Sequence, residues 1–428
     1  MQLKISNIGK IGKTAIDIEG ITVIAGENNS GKSTVGKLLF SIFNSMNNMD
    51  TKIEQERKDR ISRIITMLLQ GRFVYKKNSY AEYRRKYGTF VKKLTDSIME
   101  YSLTDTIDEV EEFLKSQINE SVFFTNKEDM EEFVEECARK IEPILNVPDK
   151  KIMTEVINRW FNKVFESQIS PLKEDGLESN IELVIKGKRI LYTFKDNACI
   201  NWETELNLLH EAFYIDNPFV LDEMSMFYDT SRITDEHLLS FLCKEKEDIF
   251  EGIFDAVMAK DKLKEIDNVL GEVIQGDIEE NQDGEYCFKS SKFAKPLYVK
   301  NLSTGLKSFA LIKRLLGNGS IKEKDVLILD EPEIHVHPQW QLLYAKLIVL
   351  LQKEFDLSLI ITTHSPYFLD AIGVYSTKYN TAYRARYYLA ENDGDIASLQ
   401  DVTNNIDAIY KKLSDPMQIL ENLRYGVE

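Results

Sequence analysis

Short runs of consecutive apolar residues near both ends of the chain predict strands that are buried on both faces. The runs are residues 21–25, 212–215, 325–330 and 357–363. Continuous apolar runs of this length are typical of parallel strands, because helices cover both faces of a parallel sheet. Apolar positions at helical spacing are found at 35–42, 308–316 and 339–355. The two ends of the chain therefore predict an α/β fold.

The chain between about residues 48 and 167 has a different pattern, with charged, amphipathic helices predicted at 53–69, 106–118 and 149–165. Its apolar positions never keep a heptad repeat, and Pro143 and Pro148 interrupt the helices, so a packed helical lobe is favoured over a long coiled coil. Because the α/β elements on either side must meet in space, this lobe is predicted to be an insertion.

The remaining segments predict hairpins and further helices. They are strands 2–8 and 14–19 joined by a turn at 9–13, hairpins at 181–195 and 274–300, helices within 235–273, and one or two amphipathic helices at 404–423. The expected division is 1–47 and 296–428 for the two parts of the core, 48–167 for the helical insertion, 168–225 for a hairpin with a return strand, and 226–295 for a helical segment with a hairpin.

A glycine-rich motif follows the first buried run directly. It reads Gly26-Glu27-Asn28-Asn29-Ser30-Gly31-Lys32-Ser33-Thr34 and fits the pattern G-x-x-x-x-G-K-[ST]. A strand, a glycine-rich turn and a helix together point backbone N–H groups and a helix N-terminus at a phosphate. We expect Lys32 to reach the β- and γ-phosphates of a nucleotide, and the Ser33 hydroxyl to complete a Mg²⁺ shell.

Composition narrows the class of protein. The 428 residues are 43% hydrophobic and 29% charged, as in ordinary globular domains, and no apolar stretch approaches the roughly 20 residues of a membrane span. Cys137, Cys199, Cys243 and Cys287 are scattered, which argues against zinc and disulfides and favours the cytoplasm. The net charge of −16 leaves room for a local basic groove but does not indicate nucleic-acid binding.

Further residues in the C-terminal third of the chain suit nucleotide hydrolysis. The strand 325–330 ends in Asp330, which suits Mg²⁺, and Glu331 follows, placed to orient and deprotonate the attacking water. His364 follows the strand 357–363 and can hydrogen-bond the γ-phosphate and that water. Ser303 and Gly305 open a helix and form a second phosphate-facing turn, although Ser303 taken alone is better explained as an ordinary N-cap.

Together these motifs resemble the ABC-type P-loop ATPase domain, with a large helical insertion between Walker A and the signature motif. Leu302-Ser303-Thr304-Gly305-Leu306 stands at the signature L-S-G-G-Q, Asp330 at the Walker B aspartate and His364 at the switch histidine. The resemblance implies ATP and Mg²⁺ as cofactors and a dimer joined head to tail. Ser303 and Gly305 would then contact the nucleotide held by a second copy.

The details resemble the RecF/SMC/OLD-like branch of that family. The motifs typical of that branch are matched by the phosphate loop and by two further runs, Asp330-Glu331-Pro332-Glu333-Ile334-His335-Val336-His337-Pro338 and Thr363-His364-Ser365-Pro366. Within the branch the chain is most similar to ATPase subunits of bacterial anti-phage systems of the Septu and PARIS kind. That similarity implies a dimer or larger assembly that controls an effector, expected to be a separately encoded nuclease.

The sequence departs from transporter-type domains at several points. Thr304 and Leu306 replace the signature's second glycine and its glutamine, and no glutamine stands at a Q-loop position, for which Asp216-Asn217-Pro218 is the candidate. A transporter ATPase subunit, disfavoured by the insertion, and a nucleotide-bound scaffold with little turnover are the alternative functions.

Two acidic or histidine-rich stretches imitate other sites. His335 and His337 suggest a metal, but they are better explained as shaping the loop before helix 339–355. Asp393-Gly394-Asp395 imitates a metal-binding D-x-D, but a hairpin turn between strand-like 385–390 and 396–402 explains it better. The stretch after residue 370 is too short for a TOPRIM-type nuclease of about 100 residues, so we expect no nuclease in this chain.

Overall fold

The computed structural model describes residues 1–70, 80–100, 106–118, 124, 126–174, 176–225, 232–245 and 253–425. The strands are β1 (Gln2–Ile8), β2 (Ile11–Asp17), β3 (Ile21–Gly26), β4 (Ser179–Ile185), β5 (Lys188–Lys195), β6 (Ala198–Thr204), β7 (Ala212–Ile215), β8 (Asp277–Glu280), β9 (Tyr286–Lys289), β10 (Leu297–Tyr298), β11 (Val326–Asp330), β12 (Ser358–Thr363), β13 (Ala385–Asp393) and β14 (Ile396–Asp401).

The helices are α1 (Lys32–Met46), α2 (Met49–Leu69), α3 (Tyr80–Glu100), α4 (Ile107–Gln117), α5 (Lys127–Leu145), α6 (Asp149–Phe165), α7 (Ile233–Leu242), α8 (Ile253–Val273), α9 (Thr304–Gly317), α10 (Pro338–Phe355), α11 (Pro366–Lys378) and α12 (Asp407–Tyr425). Short 3₁₀ helices span Pro218–Glu223, Val299–Asn301 and Ala382–Arg384.

The described strands form one sheet of eleven and one of three. The large sheet has the order β6-β5-β4-β1-β2-β14-β13-β3-β12-β11-β7, and the small one the order β10-β9-β8. Strands β13, β3, β12, β11 and β7 run parallel to one another, and β3 is buried along its whole length. The fold is thus α/β, as predicted.

Contacts between residues divide the chain into two compact units. One contains residues 1–47 and 157–428, and the other contains residues 48–156. The helical unit has its own apolar core, contributed by α2 to α5. Its fully buried members include Ile61, Ile65, Leu114, Phe133, Val134 and Ile141.

The predicted end of the helical insertion, residue 167, differs from the division that the contacts define. The second half of α6 belongs to the α/β unit, because Phe161 packs on two aromatic side chains of β5. Its ring centroid lies 5.5 Å from that of Tyr192 and 4.8 Å from that of Phe194. Long-range packing of this kind leaves no mark on the helical periodicity of α6 itself.

Local details correct some of the other expectations and narrow the rest. The first hairpin turns at Gly9 and Lys10, because β2 already begins at Ile11 and pairs with Ile8. Pro143 lies inside α5, in its last turn, whereas Pro148 directly precedes α6. The strand β6 adds to the hairpin of β4 and β5, and the last amphipathic stretch is the single helix α12.

Candidate nucleotide-binding site

Four neighbouring parallel strands present the candidate residues at one edge of the sheet. Residues 27–31 follow β3, His364 follows β12, Glu331 follows β11 and Asp216 follows β7. Because the carboxyl ends of parallel strands lie together, groups that are far apart in sequence meet here. Ligands of open α/β sheets bind at this edge.

The glycine-rich segment forms a tight turn from β3 into α1. Gly26 has φ +149°, and a Cβ atom there would lie 2.0 Å from the carbonyl oxygen of Ala390 in β13, so glycine is required. Gly31 is the left-handed residue that precedes α1, and its position leaves the first amides of the helix for an anion. The sequence-predicted phosphate loop therefore has the local geometry of one.

Lys32 lies over this loop. Its Nζ donates to the carbonyl oxygens of Gly26, at 3.2 Å, and of Glu27. Burial lowers the pKa of Lys32, while the nearby carboxylates of Glu331 and Asp330 act in the opposite direction. The ammonium is thus largely removed from water and poised beside the helix N-terminus, where a polyphosphate would be its natural partner.

Asp330 is surrounded by hydroxyl groups. Its Oδ1 accepts from Ser33 Oγ at 3.0 Å and from Thr362 Oγ1, and its Oδ2 accepts from Tyr214 Oη at 2.5 Å. Burial and the neighbouring Asp330 raise the pKa of Tyr214, so this tyrosine stays a donor. The structure brings the sequence candidates Ser33 and Asp330 together, whereas Tyr214 and Thr362 carry no motif that the sequence could have revealed.

Glu331 and His364 face one another across the ends of β11 and β12. His364 Nε2 lies 2.8 Å from Glu331 Oε1. Glu331 adopts φ +52°, which is uncommon for a residue with a side chain, and its N–H donates to both oxygens of Thr362. The strained backbone turns the glutamate towards the histidine and the phosphate loop, and such strain is concentrated at functional sites.

Glu333 is a third carboxylate that the sequence did not single out. Its side chain is buried, with 5% of its surface exposed. Its Oε1 accepts from Thr363 Oγ1 at 2.5 Å and from the backbone N–H of His364 at 2.9 Å. Burial raises its pKa, and its Oε2 finds no hydrogen-bond partner among the described residues. Glu333 thus fixes the backbone that carries the histidine.

Ser303 and Gly305 lie at the start of α9. Ser303 occupies the N-cap position, yet among the described residues its hydroxyl makes no capping hydrogen bond and it stays exposed. Close by, a Cβ on Gly305 would lie 3.3 Å from both the His335 carbonyl oxygen and the Trp340 ring. The N-cap explanation of this serine is therefore incomplete, because its hydroxyl remains available.

A cavity of about 470 Å³ opens at the phosphate loop. Part of its lining is the loop, the first turns of α1 and Glu331, and the rest comes from the β1–β2 turn and from residues near the end of α6. Among the described residues that line it, neither Ser303 nor Gly305 occurs.

The remaining candidates have local structural partners. Asp216 pairs with Arg232, and Asn217 Oδ1 accepts from the N–H of Phe219 at 2.9 Å, so it caps a 3₁₀ helix. His337 Nδ1 accepts from the N–H of Gln339 at 3.4 Å at the start of α10.

The stretch Asp393-Gly394-Asp395, which imitated a metal site, forms a turn. Asp393 pairs with Ile396 across the β13–β14 hairpin, and Gly394 has φ +63°, so the predicted hairpin turn is observed. Within the described part of the chain, no group of three or more His, Cys, Asp or Glu residues could hold a metal ion.

A phosphate loop after β3, a carboxylate pair after β11 and a histidine after β12, all at one edge of the parallel part of the sheet, define a P-loop ATPase of the ABC type. The chain belongs to the AAA ATPase domain family, whose model matches residues 1–369.

Curated relatives match parts of the chain. The Septu protein PtuA of Bacillus thuringiensis is 37% identical over 18% of this chain and 22% of that protein. The energy-coupling factor transporter ATP-binding protein EcfA2 of Clostridium perfringens is 29% identical over 29% of this chain and 43% of that protein. The aligned part is thus less than half of each relative's own length.

Solved structures of SMC heads also align with the chain. The SMC head domain from Thermotoga maritima gives a TM-score of 0.38 at 10% identity and covers 94% of this chain and 98% of that one. The Smc head domain with an extended coiled coil from Pyrococcus furiosus gives 0.34 at 12% identity, with 99% and 98% covered. Among the described residues, no helix combines the length and the apolar character that crossing a membrane requires.

Proposed function

We propose that this ATPase binds ATP with Mg²⁺ at the cavity beside the phosphate loop, hydrolyses it, and uses the cycle to control a separately encoded effector nuclease. The observation that carries the proposal is the pairing of Ser33 with Asp330 at 3.0 Å and of Glu331 with His364 at 2.8 Å beside the loop. Both pairs join residues that are far apart in sequence but adjacent at the sheet edge.

The donor set fits the two groups that the family implies. Hydroxyl and carboxylate oxygens, such as those of Ser33 and Asp330, are the ligands that Mg²⁺ prefers, and Lys32 with the first amides of α1 suits a polyphosphate. Bound Mg²⁺ supplies neutralisation of charge on the transferred phosphoryl group. Glu331 would accept a proton from the attacking water, and His364 would orient that water and the γ-phosphate.

We further propose that the site is completed by a second copy, joined head to tail. Ser303 carries a free hydroxyl at a helix N-terminus, where backbone amides favour an anion, yet it does not line the cavity of its own copy. A head-to-tail partner would bring this turn over the nucleotide and exclude water from it.

The effector is proposed from the similarity to PtuA and from exposed surfaces. The second half of α12 exposes Ile419, Leu420 and Leu423, and the helical unit 48–156 adds a second large surface. Nucleotide-dependent closure of the dimer would bias docking of the effector on these surfaces, as a population shift between two arrangements.

The partial similarity to EcfA2 leaves a transporter subunit as the second candidate. A neighbouring gene for a nuclease supports the first candidate and one for a permease the second.

Two variants test hydrolysis. Lys32→Ala removes a charge partner of the phosphates, so we expect weaker ATP binding. Glu331→Gln should keep ATP bound and slow the chemical step by about 10²–10³-fold, as the loss of a proton-accepting group commonly does. Turnover and ATP affinity are measured for both, and unchanged turnover in Glu331→Gln would refute the proposed role.

A mixing experiment tests the shared site. Lys32→Ala and Ser303→Ala proteins should each be inactive, and an equal mixture should regain activity, because each mixed dimer contains one intact composite site. Mixtures without recovered turnover, despite subunit exchange shown by differently labelled copies, would contradict the head-to-tail arrangement.

A further inference from the structure

The geometry points to residues 165–172, the segment that follows α6, as the wall on which the base of the nucleotide binds, with Phe165 and Leu172 as its contact surface. This inference rests on the proposed function, since it identifies the ligand of the same cavity as a nucleoside triphosphate rather than an inorganic polyphosphate.

The two walls of the cavity differ in chemistry. The phosphate loop offers backbone amides and the Lys32 ammonium, which suit a polyanion. The rest of the lining contributes the apolar side chains of Ile8, Val164, Phe165 and Leu172, together with the polar side chains of Lys10, Glu166 and Gln168. The apolar side chains have nothing to offer a phosphate, whereas they suit an aromatic base, and ligand pockets commonly join an apolar surface to a few polar anchors.

The segment is held on the β1–β2 turn by its backbone. Gly9 donates its N–H to the carbonyl oxygen of Ile169 at 3.1 Å, and the N–H of Leu172 donates to the carbonyl oxygen of Gly9 at 3.1 Å. On the other side, Ser170 exchanges two hydrogen bonds of 2.9 Å with Asn197. The wall is therefore fixed on both sides before any ligand binds.

Two consecutive residues other than glycine adopt the left-handed conformation just before this wall. Glu166 has φ +49° and Ser167 has φ +58°. This conformation is unfavourable for residues with a side chain, so the surrounding structure must maintain it. It reverses the chain after Phe165 and brings Leu172 to the same cavity.

The two contact residues, Phe165 and Leu172, differ in how far they are exposed. Phe165 is half-buried and stacks on Phe161, with the ring centroids 6.3 Å apart and the planes at 10°. Leu172 is 63% exposed although it lines a cavity. A rigid aromatic ring and an exposed leucine beside a phosphate site provide a stacking face for a base.

The test compares ATP with inorganic tripolyphosphate, which carries the phosphates without a base. The dissociation constants of both are measured on the full chain for wild type, Phe165→Ala, Phe165→Trp and Leu172→Ala. A matched control is Leu209→Ala, because Leu209 is 66% exposed, does not line this cavity and belongs to the same unit. Thermal unfolding is recorded for each variant.

We expect Phe165→Ala to weaken ATP binding about 10-fold or more, since stacking on an aromatic side chain contributes this much per base, and tripolyphosphate binding to stay within about 2-fold. Phe165→Trp should restore ATP affinity, and Leu172→Ala should weaken ATP selectively where Leu209→Ala does not. If Phe165→Ala does not fold, the test rests on Leu172→Ala, which should lose affinity for ATP and keep its affinity for tripolyphosphate.

Two results separate the possible failures. Equal weakening of ATP and tripolyphosphate, or unchanged ATP affinity in both folded wall variants, would overturn the base-binding wall and leave the ATPase proposal standing. Wild-type protein that binds neither ligand would overturn the proposed function itself.

Discussion

The buried carboxylate of Glu333 allows a sharp test of how the backbone that carries His364 is held in place. In Glu333→Ala, the Thr363 hydroxyl and the His364 N–H lose their acceptor. Hydrogen bonds to charged groups contribute about 1.5–3 kcal/mol each, so the two bonds amount to about 3–6 kcal/mol. Burial of a carboxylate with one unpartnered oxygen opposes this, and raises its pKa. We therefore expect a net loss of about 2–4 kcal/mol in the free energy of unfolding.

Glu333→Ala should lower the rate of ATP turnover more than it lowers the affinity for ATP. The released backbone would let His364 move from its position 2.8 Å from Glu331. A misplacement of about 1 Å can cost about 10²-fold in rate, so kcat should fall by that order while ATP affinity changes little. Glu333→Gln keeps an acceptor oxygen, so its kcat should stay within about 3-fold of wild type and its stability within about 1 kcal/mol.

Steady-state ATP turnover, equilibrium ATP binding and urea unfolding provide the three measurements. Glu333→Ala with wild-type kcat in a folded protein would show that the loop carrying His364 needs no such support. If Glu333→Gln is as slow as Glu333→Ala, the loss of turnover comes from the missing charge of Glu333 and not from its missing hydrogen bonds. That charge lies near Lys32 and Glu331.

Three further expectations follow from single positions. Gly26→Ala should lower the free energy of unfolding by more than about 3 kcal/mol, because its Cβ would meet Ala390, whereas Gly394→Ala, also left-handed but in open space, should cost about 1 kcal/mol by thermal denaturation. Burial raises the pKa of Asp325 to about 6 from 3.8. Its contribution of about 3 kcal/mol to the free energy of unfolding is therefore present below pH 4 and is lost as the pH rises through 6. Urea unfolding of Asp325→Asn should show a stability that depends less on pH between pH 4 and 7 than that of the wild type. The purified chain should leave plasmid, linear DNA and RNA intact with Mg²⁺ or Mn²⁺, and cleavage that disappears in Asp393→Ala would contradict the hairpin explanation.

Local patterns in the sequence were sufficient for the elements that carry the motifs. The strand before Gly26, the helix at 149–165 and the turn at Asp393 depend on apolar runs, helical spacing and turn chemistry within a few residues. Each of these signals acts between near neighbours. The phosphate loop, the carboxylates after β11 and the histidine after β12 can therefore be located from the amino-acid sequence alone.

Partnerships across the sheet were decided only by the tertiary structure. Tyr214 and Thr362 meet Asp330 because β7 and β12 flank β11, and Glu333 reaches His364 because the two loops leave adjacent strands. The order of strands depends on which faces bury one another over long sequence distances, and no local pattern encodes it.

The second half of α6 shows the same limit. Its periodicity predicts a helix, yet only the packing of Phe161 on β5 assigns it to the α/β unit and brings Phe165 to the cavity beside the phosphate loop. Periodicity reports which face of a helix is apolar; what that face packs against is decided by the collapse of the whole chain.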